Sequence, residues 1–365
     1  MQNLTRRQLT MASSAALAVA AMPKPARAQL PPNTRVHVID MGNAPFFDRA
    51  QSPTGLDGMN ACTQPNHKFL DSLTYAGVDT VIRYYSDTNN AGLNCKNVTR
   101  RERDVLNDHG LALCIVYQHE GRAKNRYTGA RADQDARFCL ERARAIGQPE
   151  GSSIYFGVDS DAALNSDQGV LDYFREVNRI FGGRYRVGIY AAGARCQLIR
   201  NAGLAEYFWV PEAPAWAGTR DFMNTGNWTM YQNKTDIHHS LLTRDMDQPL
   251  AIDTDILNPL VGDTIGAFRG DGSIVRYDPM RLDAIARTRK WVTQDQLDIY
   301  YEPDDEQIAH ACIARMVHVL EDLDGWALVD IDEDGYGDGF CRSDTLADLG
   351  SMPRWRRSSC KPMKI

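Results

Sequence analysis

From residue 36 to residue 257 the chain alternates two hydrophobic periods, and few architectures accept that alternation. β-branched or aromatic runs recur at VHVIDMG (36–42), DTVIRYYS (79–86), LALCIVYQ (111–118), SSIYFGVDSD (152–161), RVGIYAAG (186–193), YFWVPEAP (207–214), WTMYQN (228–233) and LAIDTDIL (250–257). Between several of them, roughly at 99–110, 130–147 and 166–182, apolar residues follow the helical period. Thr99 and Glu102 have the capping-box spacing, and Gly110 and Gly147 stand at helix exits. Strands alternating with helices make a parallel sheet wrapped by helices. Eight strands in about 220 residues is the size of a (β/α)8 barrel. The predicted fold is therefore α/β, a TIM-like (β/α)8 barrel over residues 35–258. The rival, a doubly wound nucleotide binder, would carry a glycine-rich turn after its first strand, and MGNAPFFDRAQ has none. Connections 214–227 and 234–249 lack a helical period, so the second half is expected to be irregular. Residues 280–290 and 305–323 read as helices, which makes 260–365 a smaller, mainly helical C-terminal module.

Residues 1–28 have the pattern of a twin-arginine export signal. Arg6 and Arg7 are adjacent, Met11 to Met22 is uncharged, and Ala26-Arg27-Ala28 offers a small-x-small cleavage site. The partner in export would be the twin-arginine translocase, and cleavage is expected near Ala28. Nothing later approaches ~18 uninterrupted apolar residues, so no membrane anchor is expected and the mature chain would be periplasmic or secreted. Removing residues 1–28 takes away Arg6, Arg7, Lys24 and Arg27 and no acid, moving the formal charge from -6 to -10. An acidic chain without a basic stripe is a poor partner for nucleic acid.

Cysteines number 8, an even count that permits disulfides in an exported protein. Cys62 with Cys95 is the first expectation and Cys341 with Cys360 the second. Cys114 and Cys139 lie in patterned segments and read equally well as small core residues.

Side chains alternate along a strand. In SSIYFGVDSD that puts Ile154, Phe156 and Val158 on the helix-covered face, and Tyr155, Gly157, Asp159 and Asp161 inside the barrel. The two carboxylates fall at the C-terminal mouth, where barrel enzymes keep their chemistry. Other strand ends add Asp40, Arg83, Tyr85, Gln118, Glu120, Tyr190, Gln232 and Asp253, and Trp216 follows the sixth strand. Carboxylates and amides hydrogen-bond sugar hydroxyls, and aromatic rings cover apolar sugar faces. The set suits a carbohydrate better than a phosphate, which would want glycine-rich turns and more Lys or Arg. Taken singly, an Asp at a strand end is as well explained by capping. Only the joint placement points to a site.

The runs RYYS, KNVTRRE, GLALCIVYQ, GARADQDARFCLERARAIGQPEGSSIYFGVDSD and YRVGIYAAG resemble the glycoside-hydrolase-like domain of a secreted, twin-arginine-exported bacterial family. That family is related in fold to the glycoside hydrolase family 25 lysozymes. The resemblance covers roughly residues 35–258 and implies a sugar-polymer substrate, a polysaccharide or peptidoglycan fragment. In the lysozymes an Asp-x-Glu pair on the fourth strand is catalytic. Asp159 matches the first position, as stabiliser, and Asp161 the second, as acid; Asp40 and Asp253 match acidic positions on the first and last strands. Asp161 is one methylene shorter than the Glu, which sets its carboxyl back by about 1 Å, a misplacement that can cost ~10²-fold in rate. Two readings therefore stay open, a hydrolase and a non-catalytic glycan binder. A metal-dependent phosphodiesterase is disfavoured, because His37 is expected to face outward and His119 stands alone.

In the C-terminal module, DIDEDGYGD (330–338) repeats oxygen donors at Asp330, Asp332, Asp334 and Asp338, with Gly335 at the bend. This is the spacing of calcium loops, although Cys341 holds the place of the terminal Glu. A structural Ca2+ is expected there, and no cofactor for catalysis.

Overall fold

The structure, a computed structural model, describes residues 38–40, 70–71, 73–74, 78–87, 97–119, 123–159, 165–237, 252–258, 260, 262–331, 337–355 and 360. Seven strands run parallel in chain order: β1 (Val38–Asp40), β2 (Thr80–Tyr85), β3 (Ala112–Tyr117), β4 (Ser153–Val158), β5 (Arg186–Ala191), β6 (Tyr207–Val210) and β7 (Met230–Ile237). The curled sheet closes through β8 (Ile252–Leu257), which pairs antiparallel with both β7 and β1. This departs from the expected (β/α)8 plan, in which all eight strands run parallel. An antiparallel return needs no crossover helix, and the link into β8 has no helical period in its sequence.

Helices α1 (Arg100–Asp108), α2 (Gly129–Ile146), α3 (Asp167–Phe181), α4 (Gly193–Asn201) and α5 (Thr219–Asn224) follow β2 to β6 in turn. The first three start on hydroxyl caps: Thr99, Thr128 and Ser166 accept from the backbone N–H three residues on. α2 stops at Gly147, whose φ of 71° is the left-handed conformation that glycine adopts without strain. Strand residues Val81, Ile115, Ile154, Phe156 and Val158 pack outward against helix residues such as Leu106, Leu140 and Phe174. Ile82, Tyr84, Cys114, Val116, Tyr155, Trp209 and Met230 fill the inside.

Residues 263–277 seal the end at which the strands begin. Ser153 Oγ and Tyr155 Oη both donate to the Ile265 carbonyl, at 2.7 and 3.1 Å, and the Tyr277 hydroxyl bonds Thr80 at 2.7 Å. Ile265, Ala267 and Tyr277 join the interior cluster. Gly266 is required there, since a Cβ would come within 2.4 Å of Ser153 Cβ, and its φ is +75°.

The C-terminal module is not mainly helical. After α6 (Pro279–Thr288) come β9 (Arg289–Val292), β10 (Gln296–Tyr300), β11 (Gln307–Cys312), β12 (Met316–Leu323), β13 (Trp326–Asp330), β14 (Gly339–Arg342) and β15 (Leu346–Asp348). They form an antiparallel sheet in the order β11-β10-β14-β13-β12-β9-β15. The segment expected as one helix, 305–323, is instead two strands that follow each other in sequence but lie apart in the sheet, β11 against β10 and β12 between β13 and β9. The C-terminal module packs with the barrel: Trp291 of β9 meets Tyr231 edge-on at 5.3 Å, and Met352 exchanges hydrogen bonds with Asn224 of α5.

Cys360 pairs with Cys312, not with Cys341, which is buried inside the sheet. Burial pushes the Cys341 thiol up to about 12. Cys114 and Cys139 are buried core thiols, while Cys62 and Cys95 lie outside the described residues. With a sequence separation of 48, the disulfide's loop-closure contribution is about 4 kcal/mol. A Cys312→Ser, Cys360→Ser double variant is expected to lose most of that in urea denaturation under oxidising conditions. It is also expected to shrink the difference between runs with and without reductant.

Candidate functional site

With the base sealed, polar side chains collect toward the opposite end. The Tyr155 ring stacks on Tyr207 with centroids 6.0 Å apart and meets Trp209 edge-on at 6.1 Å. Gly188 leaves room for it, since a Cβ there would lie 2.5 Å from the ring. Trp209 donates its indole N–H to Asp255 Oδ1 at 2.7 Å, and its ring lies 4.4 Å from that of Tyr190. From this aromatic floor a hydrogen-bonded row leads outward. The Tyr190 hydroxyl donates to Gln232 Oε1 at 2.8 Å, and Gln232 Nε2 donates to Asp253 Oδ2 at 2.7 Å. Gln232 is buried, whereas Tyr190 and Asp253 are half-buried at the edge.

The reversed strand explains why Asp253 is there. The Cα register sets Asp253 opposite Asp40 and Asp255 opposite Val38. Asp253 therefore stands near the start of an antiparallel strand, not at the end of a parallel one, and still reaches the rim; Asp255 lies deeper and is fully buried.

On β4 the alternation runs as the sequence suggests, with Tyr155 inside and Ile154, Phe156 and Val158 outside. Gln118 lies over Gly157, so that a Cβ on the glycine would meet Gln118 Cγ at 3.2 Å. Asp159 follows β4 directly and is half-buried. Gln118, Asp159, Tyr190, Gln232 and Asp253 thus belong to one end of the sheet. Asp161 and Glu120 lie outside the described residues, as does the side chain of Asp40.

Arg83 and Tyr85 do not belong to this group. Arg83 is fully buried on the helix side, its Nε donating to Glu102 of α1 at 2.5 Å. Tyr85 donates to Gln148 at 2.8 Å in the outer layer. Both share the parity of Val81, and it is Tyr84, in register with Ile82, that turns inward. Trp216 lies in a groove bordered by Glu212, Arg315 and Trp355. Trp209 is the interior residue that strand-end reasoning passed over, while Tyr155 lies inside as its parity implies. In the second sheet Asp330 is fully buried at the end of β13, and Asp338 accepts the Ile331 N–H at 2.6 Å. Asp332 and Asp334 lie outside the described residues. Among the described residues no group of three or more His, Cys, Asp or Glu is placed to hold a metal.

The loops after β3 and β4 flank Asp159, and Arg126 ties them together. Its Nε donates to the His119 carbonyl at 3.1 Å, and its backbone N–H donates to Asn165 Oδ1 at 2.8 Å. Its NH2 group meets Asp135 Oδ2 at 2.7 Å. Fully buried Asp135 also accepts from the Tyr117 and Tyr173 hydroxyls, each at 2.7 Å. Burial, and after it the Asp135 charge, raises both phenols far above their ordinary value, so both stay protonated donors.

Residues 71–257 match the family described as Rv2525c-like, glycoside hydrolase-like domain. The chain belongs to that family. Among curated relatives, the Bacillus subtilis uncharacterized protein FadG is 26% identical over 278 residues, covering 74% of this chain and 46% of FadG. A second from the same organism, YbfG, is 29% identical over 168 residues, covering 43% of this chain and 23% of YbfG. The chain thus spans less than half the length of either relative. Solved structures with a similar course include the Mycobacterium tuberculosis Tat-secreted protein Rv2525c bound to L-tartrate. It shows 20% identity and a TM-score of 0.44, and the match covers 61% of this chain and 95% of that one. Another is the Streptococcus pneumoniae modular autolysin LytC with a synthetic peptidoglycan ligand, at 12% identity and a TM-score of 0.36, covering 60% and 46%. Among the described residues of this family member, no helix is long and apolar enough to cross a membrane.

The Arg126–Asp135 pair gives a direct test of how the two loops are held. Asp135→Ala leaves the Arg126 guanidinium buried without its carboxylate and is expected to cost about 3–5 kcal/mol in chemical denaturation. The exposed pair Asp133 with Arg137 on the same helix is expected to leave the denaturation midpoint nearly unchanged when Asp133→Ala is made.

Proposed function

We propose that the chain is an exported glycoside-hydrolase-like protein acting on a cell-envelope glycan such as peptidoglycan. The observation that carries this reading is the row Tyr190–Gln232–Asp253, rising from the Trp209 floor at the same end of the sheet as Gln118 and Asp159. An amide and a carboxylate fixed above aromatic faces suit sugar hydroxyls and ring faces, and family membership agrees.

In the catalytic form of the proposal, Asp161 protonates the leaving glycosidic oxygen and Asp159 stabilises the positive charge that develops on the sugar ring. An acid in that role must hold its proton near neutral pH, which burial or a neighbouring carboxylate provides. A carboxyl separation of ~5 Å would accompany retention, and ~6.5–9.5 Å inversion, with Asp40, Glu120 or Asp253 as base. Gln118, Tyr190, Gln232 and Asp253 would position the glycan by its hydroxyls. Export by the twin-arginine translocase, with cleavage near Ala28, is supported by Arg6, Arg7 and the Ala26-Arg27-Ala28 site.

Asp161→Asn and Asp159→Asn are each expected to lower the release of soluble fragments from purified peptidoglycan by ~10²-fold or more. Turnover that survives both substitutions would remove this assignment. The second reading, a glycan binder without turnover, is favoured by the short Asp161 side chain where the lysozymes carry Glu. Muropeptide binding by calorimetry with no product in mass spectrometry would select it.

A structural Ca2+ in the 330–338 loop belongs to the same proposal. Asp330 and Asp338 stand at the two ends of the β13–β14 connection, which suits a loop folded around a cation, with Asp332 and Asp334 completing the donor set. Millimolar Ca2+ is expected to raise the melting temperature and a chelator to reverse it, with Asp332→Ala insensitive to both.

A further inference from the structure

A groove lies beside the barrel rim, where the loop after β6 meets the C-terminal sheet and tail. Its two lobes, about 450 and 440 Å³, share Pro214, Trp216 and Trp355 in their walls. Each is of the size that holds a small ligand. The tail that brings Trp355 is held on both sides. Before it, the Met352 carbonyl accepts from Arg220 and Asn224; after it, Cys360 is bonded to Cys312. Fixed in this way, the Trp355 indole is nevertheless 39% exposed.

The charged lining residues sum to one positive charge, because Glu212 pairs with Arg315 and Asp221 with Arg220, which leaves Arg354 as the excess cation. Glu212 is paired with Arg315 and its side chain is only 5% exposed, so its carboxylate is neutralised within the wall. Arg315 keeps 42% of its side chain open, and Arg354 borders the second lobe, itself exposed. In sequence, residues 353–365 carry Arg354, Arg356, Arg357, Lys361 and Lys364 and no acid, in a chain of formal charge -6. Indoles accept the apolar faces of sugar rings, and guanidinium groups pair with carboxylates through two parallel hydrogen bonds.

We propose that this groove is a second binding site, for an acidic glycan, with sugar rings against Trp216 and Trp355 and a sugar carboxylate against Arg354, beside the exposed part of the Arg315 guanidinium. It shares with the preceding reading only that the ligand is a saccharide; nothing in it depends on Asp159 or Asp161. Single-stranded nucleic acid also joins stacking with negative charge and is the alternative occupant that the titration separates.

The test titrates the full mature chain, by calorimetry and tryptophan fluorescence, with an oligogalacturonate, an uncharged chitooligosaccharide of equal length and an oligothymidylate of equal charge. Oligogalacturonate is expected to bind more tightly than either alternative, and to weaken as salt is raised. Trp355→Ala is expected to lower its affinity ~10-fold or more, with Trp355→Phe retaining most of it. Arg354→Ala, at an exposed position that folding does not need, is expected to weaken oligogalacturonate and leave chitooligosaccharide unchanged. Asp159→Asn is expected to bind oligogalacturonate as the unaltered chain does, so that this inference and the catalytic reading fail separately. Equal binding of charged and uncharged saccharides, tighter binding of oligothymidylate, or indifference to both Trp355→Ala and Arg354→Ala would overturn the proposal.

Discussion

The segment from Asp263 to Tyr277 decides which end of the sheet can receive a ligand. It lays the Ile265 carbonyl across the starts of the strands, where Ser153 and Tyr155 donate to it. Ile265 and Ala267 fill the space beneath the aromatic layer. A buried carbonyl with two donors is satisfied, so water has no reason to enter there. Polar side chains that cannot be satisfied at the base must collect at the other end, and Gln118, Gln232 and Asp253 do so. The seal depends on backbone approach at Gly266, where any Cβ would strike Ser153.

The direction of β8 sets the composition of the rim. Were β8 parallel, Asp255 would lie nearer the mouth than Asp253. Because it is antiparallel, Asp253 is raised to the level of Asp40 and Asp255 is lowered against Trp209. The same reversal gives Gln232 a partner on each side, a hydroxyl on β5 and a carboxylate on β8. One strand direction thus converts two acids of equal sequence pattern into a buried anchor and a rim group.

Period-two alternation made the barrel's two faces legible. It sorted Ile154, Phe156 and Val158 from Tyr155 correctly, since a half-turn per residue leaves no ambiguity on a strand with one helix-covered face. The same rule, applied to β2, excludes Arg83 and Tyr85 from the interior; reading them as strand-end groups ignored their parity. Strand direction was not legible, because alternation is the same in both senses. The break of 305–323 into two strands was hidden for a different reason. Its turn uses Ala314 at φ 58°, with no Gly, Pro or Asn to interrupt the apolar stripe. The next turn does carry a signal: Asp324-Gly325, both at positive φ, joins β12 to β13 and is the dipeptide that hairpins favour.

The described residues that flank Asp159 are tied down from outside the barrel interior. Arg126 holds the His119 carbonyl and Asn165, while Arg195 of α4 bonds the Asn165 carbonyl and Asp167 at the start of α3. Tyr127, within the first loop, donates to the Gly157 carbonyl at the end of β4. Each loop is therefore tied to the other and to the strand between them, through side chains that burial keeps from exchanging with water. Breaking one member leaves a charge or carbonyl uncompensated. The described backbone on both sides of Asp159 is thus braced by side chains of the helix layer.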